Sequence, residues 1–204
     1  MIIINNKLGN LASIHNMLKQ IGIDAEISND YDKISKATKI ILPGVGNFKK
    51  GMECLSENKL DLAILNAAKN NSIILGICLG MHFLFEESEE GNTKGLGLIK
   101  GKVVKFHSKT DSLRIPHMGW NYVNFNKKSK LNFEEDEKIK FYFAHSYFAK
   151  CLDTNDIAAT TNYGVNFISA VQKNNIYGVQ FHPEKSHKFG KKFFQNFFTI
   201  NNES

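Results

Sequence analysis

The stretch from Ser72 to Phe85 constrains this chain more than any other, because it passes from an apolar strand into a helix through a cysteine flanked by glycines. Ile73, Ile74 and Leu75 form a short continuous apolar run, the pattern of a strand buried on both faces, whereas Met81, Leu84 and Phe85 recur at helical spacing. Cys78 falls on the turn between them. Gly76 lies two residues before it and Gly80 two after, the spacing of a nucleophile elbow, where only glycine lets strand and helix approach so closely. A thiol at a helix N-terminus sits in the positive end of the helix dipole, which favours thiolate, and the next backbone N–H could help form an oxyanion hole. An unpaired cysteine in an apolar run is also a common inert core residue, so Gly-x-Cys-x-Gly needs a base elsewhere before it signifies catalysis.

The flanking sequence predicts the sheet in which such an elbow would sit. Ile2–Ile4 reads as a buried strand, and a turn at Leu8-Gly9-Asn10 leads into a helix with Leu11, Ile14, Leu18 and Ile21 on one face, ended by Gly22. Strands near Ala25–Ser28 and at Lys39–Leu42 follow, and the succession suggests an open parallel sheet with helices on both sides. Ligands in such sheets bind beyond the carboxyl ends of strands, where Cys78 and the loop after Leu42 both fall. In that loop, Pro43-Gly-Val-Gly-Asn47, the N–H groups of Val45 or Gly46 could face a developing oxyanion; the segment also reads as an ordinary strand-to-helix turn. Glu86, Glu87, Glu89 and Glu90 read as the solvated acidic end of the elbow helix, and Gly91–Gly97 lacks the Gly-Lys-Ser/Thr ending of a P-loop.

From Gly101 the apolar period changes, and Val103–Phe106, Trp120–Phe125, Ile139–His145, Ile157–Thr161, Phe167–Gln172 and Ile176–Phe181 read as strands of a mixed or antiparallel extension. The polar segment from Asn126 to Lys138 reads as a mobile loop. A last helix from Ser186 carries Phe189, Phe193, Phe194, Phe197 and Phe198 as a core-facing stripe. The predicted class is α/β: an open, mostly parallel sheet with flanking helices and an antiparallel extension, in one domain over residues 1–204.

Composition removes several functions. The net charge of +6 comes from scattered lysines, with Arg114 the one arginine and no long basic run, so no nucleic-acid partner is expected; a basic face for a phosphorylated substrate or acidic partner stays open. Cys54, Cys78 and Cys151 are too few and too dispersed for a disulfide framework or a zinc site, which points to a reducing compartment. Met-Ile-Ile-Ile-Asn-Asn lacks the basic region and cleavage site of a signal peptide, and no apolar run approaches a membrane span. A cytoplasmic protein without metal or cofactor is expected.

Phe181-His-Pro-Glu184 supplies the missing base. His182 titrates near neutral pH, and Glu184 two residues on could accept its ring N–H, fixing the tautomer and supporting the imidazolium. Cys78, the glycine loop and His-x-Glu, each predicted at a strand terminus, together match a Cys-His-Glu triad joined by geometry rather than by sequence proximity.

Here the chain resembles the class I glutamine amidotransferases, and among them the glutaminase subunits of imidazole glycerol phosphate synthase. The resemblance rests on Gly9-Asn-Leu11, Leu42-Pro-Gly-Val-Gly46, Gly76-Ile-Cys-Leu-Gly-Met81, Pro116-His-Met-Gly-Trp-Asn121, Tyr142-Phe-Ala-His-Ser-Tyr147 and Gly178-Val-Gln-Phe-His-Pro-Glu-Lys-Ser186, which cover nearly the whole chain in order. It implies hydrolysis of glutamine to glutamate and ammonia, with ammonia tunnelling to a (β/α)₈ cyclase or synthase partner in a heterodimer, in histidine biosynthesis. By the same resemblance Cys78 attacks the carboxamide, His182 shuttles protons, Glu184 orients it, and Val45 or Gly46 with Leu79 line the oxyanion hole. Gly46, Glu90, Ser146 and Tyr147 would hold glutamine, and Asn10, Trp120, Tyr142 and Lys185 would face the synthase. A plain core aromatic is the other reading of Trp120.

Two departures stand out. His82 occupies the place where the family usually has a Gln holding the substrate's amino-acid end, and Asn5-Asn-Lys-Leu-Gly-Asn-Leu-Ala12 replaces the usual Asp-Tyr-Gly-x-Gly-Asn-Leu-Arg. Both leave room for a paralogue feeding ammonia to a sugar-modifying synthetase of surface polysaccharides. A cysteine peptidase or thioesterase would need a lid or peptide-binding insertion that is not evident here, and a non-catalytic partner-binding module would need a broken triad.

Overall fold

A computed structural model describes residues 1–107, 114–133 and 138–201. Its first half alternates strand and helix: β1 (Ile2–Ile4), α1 (Leu11–Gln20), β2 (Glu26–Ser28), α2 (Tyr31–Ser35), β3 (Lys39–Gly44), α3 (Phe48–Glu57), α4 (Leu60–Lys69), β4 (Ile73–Cys78) and α5 (Leu79–Phe83). Three helices start where a polar side chain can take an orphan N–H: Asn10 accepts from Ser13, Asp30 from Lys33 and Asn47 from Lys50. The second half is mainly strand: β5 (Phe85–Ser88), β6 (Thr93–Lys94), β7 (Ile99–Lys105), β8 (His117–Tyr122), β9 (Asn124–Phe125), β10 (Lys140–His145), β11 (Tyr147–Cys151), β12 (Ile157–Tyr163), β13 (Val165–Lys173) and β14 (Ile176–Val179), closed by α6 (His187–Thr199).

The main sheet runs β2-β1-β3-β4-β14-β13-β11-β7-β5-β6. Its first five strands are parallel, and β13, β11 and β7 continue it antiparallel. This is the expected open sheet with its antiparallel extension. On β4, Ile73, Leu75 and Ile77 join a core with Ile14, Leu18, Phe189 and Phe193, while Ile74 joins Phe48, Leu55, Ile64 and Phe83 on the other face. The unbroken apolar run is thus a strand whose alternate residues serve two helical layers, α1 and α6 on one side and α2 to α5 on the other.

A separate antiparallel ribbon, β8 with β10, sets Tyr142 opposite Trp120 and His145 opposite His117. Aromatic packing fastens it: Phe141 stacks on Phe181 at 3.9 Å between ring centroids and meets Phe193 edge-on at 6.0 Å. Such pairs add about 0.5–1.5 kcal/mol each beyond their buried area.

Four expectations are corrected. The elbow helix ends at Phe83, and Phe85–Ser88 is a strand. Leu84 and Phe85 are completely buried there, so consecutive apolar residues satisfied two periods at once. The glutamates beyond lie on and after β5 rather than at a helix end; Glu86, Glu87 and Glu89 are exposed as expected, but Glu86 also accepts from the Gly101 N–H (2.8 Å) and Glu89 from the Lys105 N–H (2.9 Å). In the segment 126–138, read as mobile, residues 134–137 lie outside the described residues, but Leu131 is fully buried and the Lys130 N–H is held by Gln172 at 2.8 Å. Phe198 is 45% exposed, so the aromatic stripe of α6 stops at Phe197. No helix among the described residues is long and apolar enough to cross a membrane.

Candidate active site

Cys78 ends β4 and caps α5 with φ 54° and ψ −109°, a conformation a side chain rarely adopts and one that costs of order 1–3 kcal/mol. The surrounding backbone enforces it. A Cβ on Gly80 would lie 1.8 Å from the Leu42 carbonyl oxygen, and one on Gly76 2.5 Å from the Gly80 carbonyl oxygen, so strand and helix cross in direct backbone contact. The β3–β4 register pairs Gly44 with Cys78, which sets the glycine loop beside the thiol. Because α5 has only five residues, its dipole is short, and side chains take over the electrostatics.

The register of β14 on β4 pairs Val179 with Ile77, so the chain leaving β14 passes the same sheet edge. The His182 N–H bonds the Tyr142 carbonyl at 2.9 Å, and the 3₁₀ turn Pro183–Lys185 brings Glu184 back under the ring. His182 Nδ1–H donates to Glu184 Oε1 at 2.8 Å, with both side chains 3% exposed. Nε2 is left for the sulfur. Burial works to lower the His182 pKa, but the charge and hydrogen bond of Cys78 and those of Glu184 outweigh it, and the pKa is pushed up to about 10. The neighbouring rings go the other way. Burial lowers His82 to about 4 against the bond from Gln180, lowers His117 to about 4, and holds His145 well below the usual range. Among these four rings, only His182, beside the sulfur, has its protonated form favoured.

A cavity of about 470 Å³ opens over the thiol and is lined by Val45, Gly46, Cys78, Leu79, His82, Glu90, Ser146, Tyr147, His182 and Lys185. Residues predicted from five separate stretches meet there, and Glu184 lies behind His182. Three assignments change in detail. The Val45 N–H is committed to the Leu8 carbonyl at 3.3 Å, whereas Gly46, at φ 102°, is the next loop residue on the cavity wall beside Leu79. His82 reaches the cavity, yet it is 4% exposed and its Nε2 lies 2.7 Å from Gln180 Oε1 rather than in open space. Glu90 spends one oxygen on the Phe48 N–H at the start of α3 (2.8 Å) and keeps the other.

Pro116, Met118, Ala144 and His145 also line the cavity and were not singled out from the sequence. His145 Nδ1–H donates to the Tyr147 carbonyl (2.8 Å), so its Nε2 accepts from His117 Nδ1–H (2.9 Å), whose own Nε2 accepts from Asn121 (3.3 Å). The alternation Phe141, Phe143, His145 along β10 was the available signal for an inward-facing histidine.

Trp120, Tyr142 and Lys185 form one surface beside the cavity mouth. Trp120 is 44% exposed and lies parallel to the His187 ring at 5.7 Å, which rules out a core role, and Lys185 Nζ sits 5.7 Å from the Tyr142 ring centroid. Asn10 starts α1, which packs on the 3₁₀ turn carrying Lys185.

A cysteine on a strained strand-to-helix elbow thus lies beside a histidine held on a buried carboxylate at the carboxyl edge of a parallel sheet, the arrangement of a nucleophile and its base. Residues 2–201 match the family Glutamine amidotransferase class-I, and the chain belongs to it. Within that family it is 54% identical over 196 residues to imidazole glycerol phosphate synthase subunit HisH 2 of Methanococcus maripaludis, covering 96% of each chain. It is 48% identical over 198 residues to the HisH subunit of Sulfurimonas denitrificans, covering 96% of this chain and 95% of the relative. The fold is shared with the structure of PurLQS from Thermotoga maritima, with a TM-score of 0.73 at 23% identity over 97% of this chain and 96% of that one.

Proposed function

We propose that this chain is the glutaminase subunit of an ammonia-channelling pair, with Cys78 as nucleophile, His182 as proton carrier and Glu184 as its orienting partner. The observation that carries the reading is the convergence of the elbow thiol, the raised histidine and the glycine loop on one cavity with Glu90, Ser146 and Tyr147. Sulfur attacks the carboxamide carbon of glutamine, and the oxygen that takes up the negative charge faces the N–H groups of Leu79 and Gly46. His182, protonated at Nε2, gives its proton to the departing amine, so ammonia leaves and a thioester remains. It then takes a proton from the water that attacks the thioester, releasing glutamate and restoring the thiolate and imidazolium.

The acceptor of the ammonia is a (β/α)₈ synthase docked on Trp120, Tyr142, Lys185 and Asn10, and the relatives' name supports imidazole glycerol phosphate as its product. His82, held by Gln180, and the altered first loop support a second reading, a paralogous amidotransferase subunit that feeds ammonia to a sugar-modifying synthetase of surface polysaccharides. Purified chain mixed with each candidate partner tests both. Cys78→Ala should abolish glutamine-dependent synthesis and leave synthesis from added ammonium nearly intact. Ammonia release from glutamine at the native rate by Cys78→Ala would overturn the nucleophile assignment.

A further inference from the structure

Directly beneath the nucleophile lies a polar side chain with no part in the steps above. Gln180 follows β14, is completely buried, and has its backbone N–H fixed on the Ser169 carbonyl at 2.9 Å. Its amide spans the gap between two residues of the elbow: Oε1 lies 2.7 Å from His82 Nε2, and Nε2 lies 3.8 Å from Cys78 Sγ, within hydrogen-bond reach of the large sulfur atom. We propose that Gln180 is a further catalytic residue, its amide N–H donating to the Cys78 sulfur and favouring the ionised form, and that His82 is the positioning residue that fixes the amide's orientation. This deepens the assignment of Cys78 as nucleophile and rests on it.

The directions follow from what each group can donate. The carbonyl end of a buried amide needs a donor, and the ring atom facing it is His82 Nε2. His82 is neutral near pH 7, so it has one N–H to give, and Gln180 Oε1 holds that proton on Nε2. With Oε1 so engaged, the NH₂ end of the amide must face Cys78. A reversed amide would set a carbonyl oxygen against the sulfur, which a thiolate repels. The other groups facing the sulfur have different uses. His182 supplies the cation and proton, Glu184 stands behind it, and His145 stays neutral. The Ala144 carbonyl, 3.9 Å away, can accept only from a protonated thiol. The protonated sulfur thus has Ala144 as its partner and the ionised sulfur has Gln180. His82 thereby acts through the nucleophile, beside any contact it makes with glutamine.

The test reads the sulfur directly, without glutamine. The rate of Cys78 alkylation by iodoacetamide is followed by peptide mass across pH 5 to 10, and the pH of half-maximal rate is compared among variants. Gln180→Met keeps length and loses the donor; its midpoint should rise by about one pH unit, the scale of one hydrogen bond to a charged group. His82→Leu frees the amide to turn and should raise the midpoint by less, whereas His82→Gln, which retains an N–H donor, should restore it. A wild-type midpoint in folded Gln180→Met overturns the proposal. Should Gln180→Met fail to fold, the His82 pair decides, since equal midpoints in His82→Leu and His82→Gln overturn it equally. Ammonia release by Cys78→Ala tests the glutaminase reading separately, so the failure of one is not the failure of the other.

Discussion

The backbone crossing at the elbow makes Gly80→Ala a severe perturbation, although alanine is a good helix former and Gly80 needs no special φ. The new Cβ would stand 1.8 Å from the Leu42 carbonyl oxygen and 2.8 Å from its carbonyl carbon, where contacts under 3.0 Å essentially never occur. Neither neighbour is a flexible side chain, so β3 or α5 must move as a unit by more than an ångström. Overpacking of this kind costs roughly 3 kcal/mol. For a chain of this length that corresponds to a fall in Tm of about 6–12 °C, read by differential scanning calorimetry. The displaced edge leads from Gly44 into the Gly46 loop on one side and carries Leu79 on the other, so the two N–H groups proposed to face the oxyanion separate from Cys78, and a shift of that size should cost ~10²-fold in turnover. Gly97→Ala is the control: nothing lies within 4 Å of its Cβ, and with φ 66° it should cost only the ~1 kcal/mol of a strained backbone. A Gly80→Ala protein with unchanged Tm and unchanged ammonia release would show that strand and helix do not meet as described.

Three further outcomes are expected. His182 has a folded pKa of about 10 against an ordinary 6.5, so its contribution to stability is complete below pH 6.5 and is lost as pH rises through 10; Tm measured against pH should fall on the alkaline side, and less steeply in Cys78→Ala, where the raising charge is gone. His82 and His117, lowered to about 4 by burial, act in the opposite sense: their contribution is present above pH 6.5 and is lost as pH falls through 4, so His117→Phe, which retains the stacked ring, should flatten the acid limb of the same curve. Trp120→Ala should leave the isolated subunit folded, since the ring is 44% exposed, and weaken synthase binding by about 2 kcal/mol in titration calorimetry; native-strength binding would remove Trp120 from the interface.

Much of this arrangement was legible in the order of residues. Backbone chemistry is local, so the Gly-x-Cys-x-Gly turn, the apolar run of β4 and the two-residue spacing of His182 and Glu184 carried their own geometry. The two-period change near Gly101 likewise announced the antiparallel extension. A periodic pattern fails where every residue is buried: Leu84 and Phe85 satisfied helix and strand alike, and only the pairing of Phe85 with Ile99 on β7 decided that β5 starts there.

What remained for the tertiary structure were contacts between residues far apart in the chain, which no spacing encodes. Val45 looked free to serve an oxyanion until Leu8, from another loop, took its N–H. Glutamates that composition placed in solvent fasten backbone amides of α3 and β7. Trp120 could have been core or surface, and the two-stranded ribbon turned it outward while turning Phe141 and Phe143 inward. His82 and Gln180 are 98 residues apart, and only the packing of α5 against the end of β14 brings them together under Cys78. The sequence by itself determined which residues have reactive chemistry and a rigid local turn to hold it. The fold decided which of their donors and acceptors are free, because a hydrogen bond is satisfied by whatever atom lies within three ångströms, however distant in sequence.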